Sequence, residues 1–249
     1  PLTRERIHSN LLPLLNRGII PVITGFIGAT VRGQPTTLGR GGSDYTASIL
    51  AVCSDAQEVW VWTDVDGMMT ADPREVVNAR VIPSLSYDEA AEMAYFGARL
   101  LHARMIMPLR DERIPLRIRN VFKPQQPGTL VHSTTMPTGF KAVTTIQGLG
   151  LTAPHSGSLA AIAALVDEKL AAISGSHTDV MIASQSSSRS FVCFVIPTSA
   201  GLDALHSLQN ALAAPLARLD EGATGWTMRS VNVVTVAGAR LGEDHRLTA

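Results

Sequence analysis

The chain of 249 residues is poor in several residue types, and each shortage closes off a class of protein. It has two cysteines, Cys53 and Cys193, far apart and inside apolar stretches. Two thiols make neither a disulfide framework nor a four-ligand zinc site, and a reducing cytoplasm is the simplest compartment. No apolar run reaches the ~18 residues needed to cross a bilayer, so a membrane span is not expected. Twenty-one basic residues balance twenty-one acidic ones, which leaves no basic footprint for nucleic acid. Lysine is scarce as well, at positions 123, 141 and 169 only, against many arginines. We read that as compositional bias, so a single arginine carries meaning only from its context. Gly-x-Ser-x-Gly elbows, Cys/His pairs and two-histidine metal helices are absent, which removes support for hydrolases and metalloenzymes.

What is present is 45% hydrophobic residues in a length that suits one or two domains with real cores. A helix-like stretch at 4–16 precedes an Ile/Val-rich run at 18–25 with the composition of a buried strand. Helical spacing over 43–53 and a β-branched, aromatic run at 58–63 continue a strand–helix–strand rhythm. Ser86 followed by Glu89 forms a capping box ahead of an Ala-rich helix. Residues 114–121 alternate apolar and basic side chains like a strand near a sheet edge. The alternation implies a mainly parallel sheet covered on both faces.

Between 123 and 139 Pro, Gly, Gln, Ser and Thr take over, as in a connection between domains. The expected division is 1–135 and 136–249. Beyond it the order reads strand 142–151, helix 158–173, strands 178–183 and 190–196, helix 202–219 and strand 226–231, a β-α-β-β-α-β, ferredoxin-like order. Residues 233–241 read as the first strand of another unit.

Three stretches could carry chemistry. In Thr36-Thr37-Leu38-Gly39-Arg40-Gly41-Gly42-Ser43-Asp44, glycines let backbone N–H groups approach an anion at a helix start. Arg40 offers a planar fork for carboxylate or phosphate, and Asp44 suits an amine; the plainer reading is a turn with Ser43 or Asp44 as N-cap. The second stretch, Trp62 to Arg74, leaves the carboxyl end of a strand, where open α/β sheets bind ligands. Asp64 there suits a ribose or base and Arg74 a polyphosphate, while Asp66-Gly67 and Asp72-Pro73 also read as turn dipeptides. The carboxylates do not match calcium-loop spacing, and no metal site is expected. In the third stretch, Tyr95 to Ala103, Arg99 is a candidate phosphate ligand, and His102 is more often a packed residue than an acid or base. Together these parts suit phosphoryl transfer, which needs cations and N–H donors around phosphate oxygens more than covalent help.

The run Thr37-Leu38-Gly39-Arg40-Gly41-Gly42-Ser43-Asp44-Tyr45-Thr46-Ala47, then Trp62-Thr63-Asp64-Val65-Asp66-Gly67 with Ala71-Asp72-Pro73-Arg74, then Phe96-Gly97-Ala98-Arg99-Leu100-Leu101-His102, resembles aspartate kinases, members of the amino-acid kinases. The resemblance implies part of a three-layer αβα sandwich with a mainly parallel sheet. It implies that Arg40 grips a carboxylate of L-aspartate, that Gly41, Gly42, Ser43 and Asp44 line that site, and that Phe26 borders it. Thr63, Asp64, Met69, Asp72, Arg74 and Arg99 would hold ATP, with Mg²⁺ on the nucleotide. Arg40, Asp44, Arg74 and Arg99 would carry the catalysis. The reaction implied yields 4-phospho-L-aspartate and ADP, early in lysine, threonine and methionine biosynthesis.

Residues 182–197 resemble the regulatory ACT domains of that family, closest to the bifunctional aspartate kinase–homoserine dehydrogenase form. There Gln185 would contact an allosteric amino acid, threonine or lysine, and ACT pairing implies a homodimer. The family's Lys-x-Gly-Gly phosphate loop has no counterpart, because no lysine precedes Lys123; its Phe-Gly-Ala-Lys lysine is Arg99, and Ala103 replaces a proline. The chain therefore reads as the carboxyl-terminal part of the kinase domain with one nearly complete ACT unit, inactive as a kinase by itself. The alternatives are another amino-acid kinase (acetylglutamate, glutamate or uridylate kinase) and a regulatory amino-acid-binding fragment.

Overall fold

The computed structural model describes residues 2–39, 41–97, 100–133, 139–154, 159–174, 182–185, 191–197 and 227–239, with single positions at 207, 210–212, 214 and 241. Two compact units emerge: Pro1–Thr144 with Thr235–Ala249, and Thr145–Val234.

The first unit opens with helices α1 (Leu2–Asn10) and α2 (Leu12–Asn16) and a hairpin of β1 (Ile27–Ala29) and β2 (Pro35–Thr37). Helix α3 (Gly42–Cys53) leads to strand β3 (Val59–Thr63). Then follow β4 (Ser84–Ser86), α4 (Tyr87–Tyr95), α5 (Ala103–Asp111), β5 (Leu116–Asn120) and β6 (Thr129–His132). The sheet order is β3-β5-β6-β4, with β3 parallel to β5, β4 parallel to β6, and β5 antiparallel to β6.

Period-two alternation fixes which face of the sheet is dry. In Leu116-Arg117-Ile118-Arg119-Asn120 the odd partners, Arg117 and Arg119, leave the core while Leu116 and Ile118 are fully buried. Met68, Leu85, Met93, Met105, Ile106 and Leu109 complete that core, each worth ~1.5–3 kcal/mol in transfer from water. Helix α4 begins on the capping box expected from sequence: Ser86 Oγ accepts from Glu89 N at 3.2 Å, and Glu89 Oε2 accepts from Ser86 N at 2.8 Å.

Four expectations are corrected. Residues 18–25 form no strand; Ile20 and Val22 are 89% and 98% exposed, because strand composition without a neighbour to pair with specifies nothing. Strand β5 lies inside the sheet, not near its edge, since β3 and β6 both pair with it. The connection read at 123–139 contains β6, an inner strand whose polar flanks masked its short Thr-Leu-Val-His run. One continuous strand, Thr227–Ala239, replaces the two read on either side of residue 232.

In the second unit β7 (Gly139–Pro154) pairs antiparallel with β9 (Phe191–Pro197), and β9 antiparallel with β8 (Ile182–Gln185). Helix α6 (Leu159–Ser174) joins β7 to β8. With β10 (Thr227–Ala239) the order is β10-β7-β9-β8, fourth-first-third-second along the chain, as the β-α-β-β-α-β reading requires. The outer parts of β7 and β10 belong to the first unit by the division above. Of the helix read at 202–219, positions 207, 210–212 and 214 are described and helical. Among the described residues no helix is long and apolar enough to cross a membrane.

Candidate active site

Chain direction decides where the candidate residues meet. Helix α3 runs back along the sheet before turning into β3, so its N-terminus lies at the edge where β3 ends in Thr63. Helix α5 likewise returns before β5, which puts His102 and Arg104 at the edge where β5 ends in Asn120. Two helix N-termini and two strand carboxyl ends thus share one edge of the sheet, the usual ligand position in open α/β sheets.

Around the start of α3 the backbone is packed too tightly for side chains. Gly41, the N-cap, has φ of 68°, and a Cβ there would lie 2.3 Å from the His102 ring. A Cβ on Gly42 would meet Phe26 and Leu38 at 3.0 Å, and one on Gly25 would meet Ser43 Cα at 2.9 Å. Phe26 itself takes φ of 72°; its N–H donates to Thr46 Oγ1 at 3.2 Å and its carbonyl accepts from Leu38 N at 2.9 Å. These bonds stitch the 25–28 turn to the Gly loop. Ser43 is exposed and Asp44 half-buried, both in the first turn of α3, and neither is the N-cap. Arg104 spans the same cluster, donating to the Leu38 carbonyl at 3.1 Å and stacking 5.0 Å from the centre of the Tyr45 ring. His102 is the N-cap of α5, at the junction between α4 and α5, its Nδ1 accepting from Arg104 N at 3.3 Å.

The loop after β3 is held by the loop after β5. Asn120, 4% exposed, donates from Nδ2 to Asp66 Oδ1 at 2.5 Å and to the Asp64 carbonyl at 3.3 Å. Lys123 Nζ lies 2.9 Å from Asp66 Oδ2. The Lys123 hydrogen bond, then that of Asn120, holds the Asp66 carboxyl below the ordinary carboxylate range. Val121 N donates to the Thr63 carbonyl at 2.8 Å, and Thr63 Oγ1 donates to Asp64 Oδ1 at 3.2 Å. Asp64 is exposed and Met69 half-buried, bridging to Val81. Arg74, 80% exposed in its side chain, forks onto Asp72 at 3.0 and 2.6 Å, and that bond raises its pKa. Asp72 Oδ1 also accepts from Arg74 N at 2.9 Å, so the turn expected at Asp72-Pro73 is real.

The structure therefore brings Phe26, Gly41, Gly42, Ser43 and Asp44 into one cluster, while Thr63, Asp64, Met69, Asp72 and Arg74 all lie on the stretch that leaves the carboxyl end of β3. Arg40 and Arg99 lie outside the described residues, as do the surroundings of the Gln185 side chain; the Gln185 backbone is on β8, paired with Val192. Arg104, Asn120 and Lys123 escaped the sequence reading. Lys123 carried a signal, as the one lysine in the first 140 residues, set in a Pro-rich turn.

Residues 3–120 match the amino acid kinase family. The bifunctional aspartokinase/homoserine dehydrogenase 2 of Arabidopsis thaliana is 38% identical over 190 residues, 74% of this chain and 21% of that protein. E. coli aspartokinase III in complex with aspartate and ADP superposes with a TM-score of 0.77 at 32% identity, covering 97% of this chain and 53% of that one. Its complex with lysine and aspartate gives 0.75 at 33%, covering 96% and 52%. The chain spans about a fifth of that curated relative and about half of the solved chains. Through residues 3–120 it is similar to the amino acid kinase family, and over nearly its whole length it is similar to aspartokinases.

Proposed function

We propose that this chain is the carboxyl-terminal part of an aspartate kinase, transferring the γ-phosphoryl group of ATP to the side-chain carboxylate of L-aspartate. The observation that carries the reading is that β3 and β5 run parallel and end together at Thr63 and Asn120, while the N-termini of the helices that precede them meet at Gly41 and His102. Aspartate would sit against Phe26, Gly41, Gly42, Ser43 and Asp44, with Arg40 and Arg104 as cations for its carboxylates. ATP would lie along Thr63, Asp64, Met69, Asp72 and Arg74, with Arg99 and Lys123 supplying further positive charge.

The chemistry asks little of protein bases. A carboxylate oxygen of aspartate attacks the γ-phosphorus as the bond to the ADP oxygen breaks, and the nucleophile is already deprotonated at neutral pH. What the residues contribute is alignment and compensation of negative charge. Among the described residues no three His, Cys, Asp or Glu side chains cluster to cage a metal, so Mg²⁺ would be carried chiefly by the nucleotide phosphates.

The proposal extends to domains, with 1–135 as kinase part and 136–249 as ACT part, and to a homodimer through ACT. It also includes an effector, threonine or lysine, near Gln185, and residence in the cytoplasm. Calorimetry with aspartate, glutamate, UMP, ADP, threonine and lysine tests it: aspartate and ADP should bind. A preference for glutamate or UMP would point to another amino-acid kinase, and effector binding without ADP binding to a regulatory fragment. Aspartyl phosphate trapped as its hydroxamate should be negligible for this chain alone, since lacking the phosphate-loop lysine costs about a thousandfold or more. Turnover near that of an intact aspartokinase would reject this.

A further inference from the structure

We infer that Arg119 is a positioning residue for the nucleotide side of the site, acting through the 120–128 loop that carries Lys123; the inference rests on the nucleotide reading above. Arg119 leaves β5 on the face opposite the core, beside Trp62 in the β3 register. Its guanidinium lies 4.7 Å from the Trp60 ring centre and 5.3 Å from that of Trp62. From there its Nη2 donates to two carbonyls of the following loop, Pro124 at 2.5 Å and Gln126 at 3.3 Å, while Nε is buried without a partner.

The two indoles are themselves fixed. They meet edge to face at 5.8 Å, and Trp60 Nε1 donates to Glu58 Oε2, whose other oxygen accepts from Arg117 Nε at 2.8 Å. At the far end of the loop Gly128 takes φ of 67°, and any Cβ there would fall 1.8 Å from the Ile118 carbonyl, so the loop returns directly onto the strand that launched it. Within the loop Phe122 N donates to Asn120 Oδ1 at 2.8 Å and Gln126 N to the Lys123 carbonyl at 3.0 Å. Lys123 is thus presented at Asp66 by a loop whose outer half hangs on one guanidinium. A planar fork lying over two aromatic rings suits that task, and a lysine ammonium does not reproduce it.

The test compares the whole chain with Arg119→Lys and Arg119→Ala by hydrogen exchange and by calorimetry with MgADP. Both variants should exchange the amides of 121–127 faster and bind ADP about tenfold more weakly, with aspartate affinity and the amides of α3 and α5 unchanged. Three results overturn the inference: exchange that rises equally across β5, β6 and the helices, which is general destabilisation; ADP affinity unchanged in both variants; or full retention by Arg119→Lys, which would leave only charge at work. If the unsubstituted chain binds no ADP, the nucleotide reading fails first and this inference with it. ADP binding that both variants retain fails the inference alone.

Discussion

Asp66 shows how one side chain joins two loops. Its carboxylate takes a hydrogen bond from Asn120 and another from Lys123, and both lower its pKa in the fold. A depressed carboxylate pKa contributes stability that is present above the unfolded value, and that is lost as pH falls through the folded one. The link between the loops is therefore intact at neutral pH and weakens only below about pH 4. Asp66→Asn should remove that acid-dependent part, seen by denaturant titration as a flatter stability curve on the acid side of the ordinary carboxylate range. A curve that keeps its shape would mean that other carboxylates control the acid limb.

Thr129 makes a different kind of join, wholly buried: its Oγ1 accepts from Met68 N at 2.9 Å and donates to the Ile82 carbonyl at 2.7 Å. Thr129→Val keeps the shape and orphans both backbone groups, for a loss of ~2–4 kcal/mol by chemical denaturation. A loss under ~0.5 kcal/mol would mean that water or a shifted backbone replaces the hydroxyl.

At the scale of elements, what could be read in the sequence was whatever is local. Helix α4 announces itself through Ser86 and Glu89, and β3 through Val-Trp-Val-Trp-Thr, because capping and alternation involve neighbours along the chain. Removing the Ser86 hydroxyl by Ser86→Ala should cost ~1 kcal/mol, measured by the shift in denaturation midpoint. Strand β6 was missed because its partners, β5 and β4, are chosen by tertiary contact and not by its own four residues. The run at 18–25 was overread for the mirror-image reason: it has the residues of a strand and no partner among the described ones. The Gly-rich loop was legible as a place where backbone must come close. That His102 and Phe26 are what it comes close to was not, since nothing in the spacing of 26, 41 and 102 encodes their contact.

At the scale of the whole molecule, a run of exposed apolar side chains among the described residues lies between Ile19 and Val31, with Ile20, Val22 and Val31 at 83% exposure or more. Such a stretch favours association. Light scattering as a function of concentration should fall when Ile20 and Val22 are both changed to Ser, while the melting temperature stays within about 2 °C, because neither side chain is packed. A large drop in melting temperature would show that the segment is buried in solution.

The central claim is that an acidic amino acid and a nucleotide meet above one sheet edge. Hydrogen exchange of the full chain with ADP, with aspartate and with both tests it most directly. Protection by ADP is predicted in 63–74 and 120–127, and by aspartate in 25–28, 38–46 and 102–104. Protection confined to the opposite edge, around Ser86 to Glu92 and His132, or to the strands at 182–197, would contradict it.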